Sequence, residues 1–526
     1  MNIFSKRFSR AVFDRKRLNP NNCARQLTLS ACKKNKLSVT PSALLLMSAP
    51  LIATLPSIAV AEVLSEPKEQ ISVSASEPIA SLNNLQTKPT NTQLTSDQLP
   101  KVEQIPTPLG QNAYFVRRTE LPIVDIRLTF NAGSARDPEI NPDALGLSRI
   151  TAAMLSRGTE RLSENQIATI LEQYAIELSA ASYKDMFVVS LRALSNSEAL
   201  STGIDLMIQL INEPSFNTEA LERTLAQAQL GIAQAQKNPG SVASERFFAE
   251  LYPNHPYGNP SSGTTDSLKL ITPQLLREFQ QRFLVASNAN LAITGDLSLD
   301  QASQISDYLL HSMIKGQAAA LLKTPEPPKP KLVQVDFESE QTHVLAGQLA
   351  LSRSADNLSD LTLANQVLGG GMFSAVLMDE LRRKRGLTYG AYSSVSAMQT
   401  TGPWLMSFST QKTKSVEALK VADEVVKTYL QNGPDNEQIS EVKTTALNQF
   451  ALGIASNSSI NSWLAMMGFY DLGADYITEY ASRVKSVSQQ SAVEALKSTL
   501  SVDQLIWVVV GPKSDLSKLA LATPEK

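Results

Sequence analysis

The chain has 526 residues, 43% hydrophobic and 19% charged, with a formal net charge of −2. That length can build two or three cores, and the composition is that of an ordinary soluble protein. Charge is unevenly placed: residues 1–61 carry ten Lys/Arg against one acidic residue, Asp14, and the rest holds 38 basic and 49 acidic residues. A remainder that acidic, with no basic patch interleaved with aromatics, gives no electrostatic case for binding nucleic acid.

The N-terminus accounts for the asymmetry. A basic stretch to Lys36 precedes the apolar run PSALLLMSAPLIATLPSIAVA, which ends at Ala59-Val60-Ala61. Small residues after an apolar core match a secretory signal, so 1–61 reads as a signal peptide with a long basic start, cleaved after Ala61. Pro50 and Pro56 interrupt the run, and a membrane span needs a longer unbroken one; no stable membrane anchor is expected after cleavage. An Arg-rich, acid-poor leader also fits a mitochondrial transit peptide, but the A-x-A ending argues against it. Both cysteines, Cys23 and Cys32, lie in this leader, so the mature chain uses neither disulfides nor thiolate ligands.

Residues 62–100, rich in Ser, Thr, Pro and Gln without periodicity, read as a flexible tether. A first domain is expected over 101–322, a Pro-stiffened linker over 323–331, a second domain over 332–520 and a tail over 521–526. The two domains look like copies. Val124, Ile126, Leu128 and Phe130 alternate with more polar residues as a strand does, and 344–352 takes the same place in the second half. Helical runs at 197–211 and 218–236 are matched at 415–430 and 435–451, and a strand ending in glycine closes each half, LAITGDL and WVVVGPK. Each half is therefore expected to be α+β, helices packed on a mostly antiparallel sheet.

Residues 122–138, PIVDIRLTFNAGSARDP, lead into GLSRITAAMLSRGT at 146–159. With NPGSVASERFFAELYPNHPYG (238–258), LITPQLLREFQQRFLVASNANLAITGD (270–296) and GGGMFSAVLMDELRRKRGLTYGAYSSV (369–395) in order, the chain resembles the M16 (pitrilysin, insulinase-like) peptidases. The resemblance implies tandem α+β domains forming half a clam shell, and a helix bearing H-x-x-E-H, two zinc-binding histidines and a carboxylate that activates water. Here Arg149, Ala152 and Ala153 occupy those three positions. A guanidinium cannot ligate zinc and an alanine methyl has no donor atom. The family's third ligand, a glutamate before the Asn-Pro turn, falls near Leu230 and Gly231, with no acid between Glu222 and Glu245. The expected metal content of this chain is none.

The three histidines, His255, His311 and His343, contain no pair within one helical turn and read as structural or surface residues. Gly369-Gly370-Gly371 lacks a following Gly-Lys-Ser/Thr and is read as a turn into a helix over 374–384 that Ser374 can cap, not as a phosphate loop. No G-x-S-x-G elbow occurs. Arg382 and Tyr389, seven apart in LRRKRGLTYG, match the Arg and Tyr that the resemblance implies bind peptide and polarise its scissile carbonyl. The bland reading also stands: four basic residues closing a helix favour its dipole, and tyrosine is common in strands.

The resemblance further implies a division of labour, in which a zinc-less M16 chain lends its Arg and Tyr to a zinc-bearing homologue. The expected partners are that homologue, in a heterodimer, and a peptide or unfolded protein substrate. The leader places the pair in a bacterial periplasm. A structural or peptide-binding scaffold with no catalytic contribution is the alternative.

Overall fold

The computed structural model describes residues 99–514 and 516, apart from 109. The leader, nearly all of the 62–100 tether and the 521–526 tail lie outside the described residues. Two sheets carry the chain. The first contains β1 (Glu103–Gln104), β2 (Ala113–Arg117), β3 (Ile123–Phe130), β4 (Glu177–Ser182), β5 (Phe187–Leu194) and β6 (Ala289–Gly295), in the order β1-β2-β6-β3-β5-β4. The second contains β7 (Lys331–Asp336), β8 (Gln341–Leu349), β9 (Thr388–Val395), β10 (Pro403–Gln411) and β11 (Ile506–Gly511), in the order β7-β11-β8-β10-β9.

Leaving out the short β1, the two orders are the same path. β3 and β8 are central, each antiparallel to two neighbours, and β2–β6 and β7–β11 are the corresponding parallel pairs. Helices Ser197–Asn212, Thr218–Ala235 and Pro239–Leu251 reappear as Ser415–Asn432, Asn436–Gly453 and Asn457–Tyr470 at one constant offset. The α+β architecture is as expected.

The period-two pattern of β3 explains its burial. Val124, Ile126, Leu128 and Phe130 are at most 1% exposed and face a core with Met207, Leu276, Phe279 and Ile150 from the helices. Asp125, Arg127 and Thr129 point to the other face.

The outer faces of the two sheets are partly covered by an exchange between halves. Helix Pro239–Leu251 of the first half lays Ala243, Phe247 and Leu251 on Ile506, Val508 and Val510 of the second sheet. Gly347 in β8 makes room, since a Cβ there would stand 2.8 Å from the Phe247 ring. Helix Asn457–Tyr470 returns the contact, packing Ile460, Leu464 and Met467 on Tyr114, Val116 and Ala292 of the first sheet. Asn461 Nδ2 donates to Asp125 O at 3.1 Å, and Asn112 Nδ2 to Gly468 O at 3.0 Å. Full burial of Phe247 alone is worth on the order of 2 kcal/mol. None of the helices among the described residues is long and apolar enough to cross a membrane.

One expected element differs. Residues 374–384 do not form a capped α-helix: Met378–Arg383 is a π-helix, with Lys384 N bonded to Asp379 O at 2.9 Å, and the Ser374 hydroxyl donates to Glu441 instead. Met378 and Leu381 are both buried along this turn, and Leu387 N closes on Leu381 O at 2.8 Å.

Candidate functional site

The helix that bears the degenerate zinc positions, Leu147–Leu155, starts at Gly146 with φ 89°, where a Cβ would stand 2.9 Å from Ser262 O. Its N-terminus is satisfied from a distance. The buried Asp137 carboxylate accepts from Gly146 N at 2.8 Å and Ser148 N at 2.9 Å. Burial nevertheless pushes its pKa up to about 7, against these donors. Lys184 lies in the same buried cluster, its Nζ donating to Asn259 O, and burial pushes it down to about 8 while Asp137 and Asp185 pull it back up.

Arg149 and Ala153, one turn apart, are the exposed positions of this helix, and Ala152 is buried at 6% exposure. The Arg149 guanidinium donates to Ser262 Oγ at 3.0 Å. Leu230, at the place of the third ligand, is 66% exposed, and a Cβ on Gly231 would meet nothing within 4 Å. A zinc ion does not fit these side chains: at the positions that the resemblance assigns to its ligands and base stand one cation, two methyls and an isobutyl group, none of which offers a ligand atom or a carboxylate. Among the described residues no group of three or more His, Cys, Asp or Glu could hold a metal.

The histidines have other work. His255 Nε2 donates to Lys323 O at 2.9 Å and Nδ1 accepts from Tyr257 N at 3.2 Å, which sets a neutral tautomer; burial lowers its pKa. His311 bonds back to Asp307 O at 2.7 Å in its own helix, and His343 lies beside Gly240.

In the second half the structure separates the four cations that the sequence sets side by side. Arg383 pairs with Asp379, Lys384 with Asp379 and Glu380 at 3.1 and 2.6 Å, and Arg385 with Glu380. Arg382 has no carboxylate within ion-pairing distance among the described residues; its guanidinium sits 5.2 Å from the centre of the Phe373 ring, itself 76% exposed.

Tyr389 is 77% exposed on edge strand β9. A bulge aims it. Phe408 pairs with Ala391 and Thr410 with Thr388, so Tyr389 and Gly390 together oppose Ser409. The Thr388 hydroxyl holds the bulge, donating to Ser409 O at 2.6 Å and accepting from Gly390 N at 3.1 Å. No hydrogen bond joins Arg382 to Tyr389, or either of them to the Arg149 helix, among the described residues.

Sequence reasoning missed a third cluster. Asp185, 4% exposed in the turn between β4 and β5, accepts from the Tyr257 hydroxyl, the Tyr470 hydroxyl at 3.1 Å and Gln399 N at 2.8 Å. Its donors come from both halves and lie far apart in the chain, so no local pattern announces them. Lys184-Asp185 reads as a polar turn.

Comparison with known families decides where the chain belongs. Residues 115–265 match the model described as insulinase (peptidase family M16), and residues 270–446 match the peptidase M16 inactive domain. A solved M16 inactive domain from Pseudomonas fluorescens is 33% identical with a TM-score of 0.75, the match covering 78% of this chain and 98% of that one. The chain belongs to the M16 peptidase family. Its M16 relatives carry different descriptions. A Helicobacter pylori protein described as a non-peptidase homolog, YmxG, is 26% identical over 406 residues, covering 75% of this chain and 90% of that protein. A Bacillus subtilis protein described as an uncharacterized zinc protease, YmxG, is 23% identical over 337 residues, covering 64% and 80%. The insulinase match spans Arg149, Ala152 and Ala153, and the M16 inactive-domain match spans Arg382 and Tyr389.

Proposed function

We propose that this chain is the zinc-less subunit of a heteromeric M16 metallopeptidase and lends Arg382 and Tyr389 to the active site of a zinc-bearing homologue. One observation carries the reading. The residues at the positions that the resemblance assigns to zinc carry no ligand atom, while Arg382, alone among the four consecutive basic residues 382–385, has no acidic partner among the described residues and Tyr389 is presented on an exposed bulge. A guanidinium and a phenol are donors suited to a peptide carbonyl as negative charge gathers on its oxygen. The partner's zinc would supply the activated water; this chain would orient the peptide and stabilise the oxyanion. Secretion through the 1–61 leader would place the complex in the periplasm. The relative described as a non-peptidase homolog and the match to an inactive domain agree with a chain that cleaves nothing alone.

The test is reconstitution. The mature chain alone should show no chelator-sensitive peptide cleavage, and should co-purify active with a zinc-bearing M16 homologue. Arg382→Ala or Tyr389→Phe should then lower kcat about 10–1000-fold with the complex intact on gel filtration, the range for losing a transition-state donor. Chelator-sensitive cleavage by the chain alone would overturn the proposal. Unchanged turnover in both variants would instead make the chain a scaffold.

A further inference from the structure

The outer face of the first sheet is only partly covered by helix Asn457–Tyr470, and a two-lobed cleft remains beside it. The smaller lobe, about 440 Å³, lies over β3, β5 and β4 and is lined by Arg127, Thr129, Ser190 and Met186. The larger, about 770 Å³, is lined by Arg353, Trp463, Tyr476 and Tyr480. Ser462 and Met466, one helical turn apart, line both lobes, so the lobes adjoin along one face of the helix.

Each lobe holds an arginine with no carboxylate in ion-pairing range among the described residues. Half-buried Arg127 donates from Nε to Ser190 Oγ at 3.1 Å and from one terminal nitrogen to Ser462 Oγ at 2.6 Å. The carboxylate nearest along its strand, Asp125, is held by two nitrogens of Arg192, at 2.8 and 3.1 Å. Two residues beyond Arg127, Thr129 is fully buried, yet its hydroxyl has no partner among the described residues. In the larger lobe Arg353 stacks 5.4 Å from the centre of the Tyr470 ring, and its buried Nε has no partner. The other arginine there, Arg483, is paired with Glu479, and the lobe's carboxylate, Asp356, is exposed. Guanidinium groups with no carboxylate partner, set beside methionine and aromatic rings, suit an anionic group on an apolar body.

We propose that this cleft binds an acidic peptide segment, one carboxylate pairing with Arg127 in the smaller lobe and another with Arg353 in the larger, with the apolar atoms of the peptide resting on Met466 and Trp463. Charge complementarity selects the occupant: guanidinium groups that lack a carboxylate partner match carboxylates. The inference goes beyond the in-trans reading and does not depend on it, because neither Arg382 nor Tyr389 lines the cleft.

Trp463 supplies a readout that needs neither partner nor metal. Of the three tryptophans, Trp404 and Trp507 are at most 1% exposed in the second core, so a ligand in the cleft should act on Trp463 emission. Titration of the full chain with a short Glu/Leu peptide should give a saturable emission change that weakens with added salt, while a Lys/Leu peptide gives none. Arg127→Gln and Arg353→Gln should each weaken binding on the order of ten-fold or more, as expected for losing charged hydrogen bonds. Arg127→Lys, which keeps the charge but loses the fork, should also weaken it with the melting temperature unchanged. The proposal is overturned by equal affinity for the acidic and basic peptides. Unaltered affinity in folded Arg→Gln variants, or full displacement of the peptide by equimolar glutamate or inorganic phosphate, would overturn it too.

Discussion

Replacing Asp185 with asparagine tests how the two halves are held together. The carboxylate is 4% exposed and accepts three hydrogen bonds, from Tyr257 in the first half and from Tyr470 and Gln399 N in the second. An asparagine keeps one acceptor oxygen and turns the other into a donor facing a donor. Hydrogen bonds to a charged group contribute roughly 1.5–3 kcal/mol each, and a buried group left unsatisfied costs about 1–3 kcal/mol. Removing the buried charge offsets part of the loss, because burial raises the Asp185 pKa despite its donors. The expected net destabilisation is about 2–4 kcal/mol at neutral pH. Urea unfolding followed by fluorescence and circular dichroism measures it, and hydrogen exchange should show faster opening in Asn457–Tyr470 than in the core of the first half. The loss should grow as pH falls, since a carboxyl whose pKa burial raises binds more protons folded than unfolded, so the parent gains stability on acidification while the amide does not titrate. Double-mutant cycles with Tyr470→Phe should show coupling. A variant within about 0.5 kcal/mol of the parent, with no coupling to Tyr470, would refute the account.

Two further outcomes follow from the motif helix. Asp137, raised to about 7 from an ordinary 3.8, binds more protons folded than unfolded, so its contribution to stability falls as pH rises from about 4 to 7. Lys184, lowered to about 8 from 10.5, binds fewer protons folded, so its contribution rises between about pH 8 and 10.5. Relative to Asp137→Asn and Lys184→Met, the parent's urea midpoint should therefore dip between pH 7 and 8; differences that stay flat with pH would show that neither group titrates as its burial requires. Separately, the double variant Arg149→His with Ala153→His should bind zinc in equilibrium dialysis where either single variant does not, because both side chains leave one exposed helical face a turn apart.

The spacing of Arg382 and Tyr389, and the residue types at Arg149, Ala152 and Ala153, are read from the sequence only through the family resemblance. Neither reading shows which cation is free. That depends on Asp379 and Glu380, which engage Arg383, Lys384 and Arg385 through the π-helical turn and leave Arg382 to Phe373. The same turn is where the α-helix expected over 374–384 fails. The local pattern there allows either helix, and nothing in a short window of sequence marks the wider one. The bulge at Tyr389 depends on Thr388 and on strand β10, which arrives later in the chain.

By itself the sequence determined what is periodic or chemical: the alternation of β3, the helices that recur at constant offset, the glycines that end β6 and β11, and the lack of any His, Cys, Asp or Glu in 146–159. These are properties of short windows, or of side-chain identity, and need no partner to be read. Only the tertiary structure decided the exchange of helices Pro239–Leu251 and Asn457–Tyr470 between sheets, the three-way bond to Asp185, and the cleft in which Arg127 and Arg353 have no carboxylate partner among the described residues. Each of those includes contacts between residues more than a hundred positions apart. Which donor meets which acceptor at that range is set by how the layers stack, and nothing in the local sequence records it.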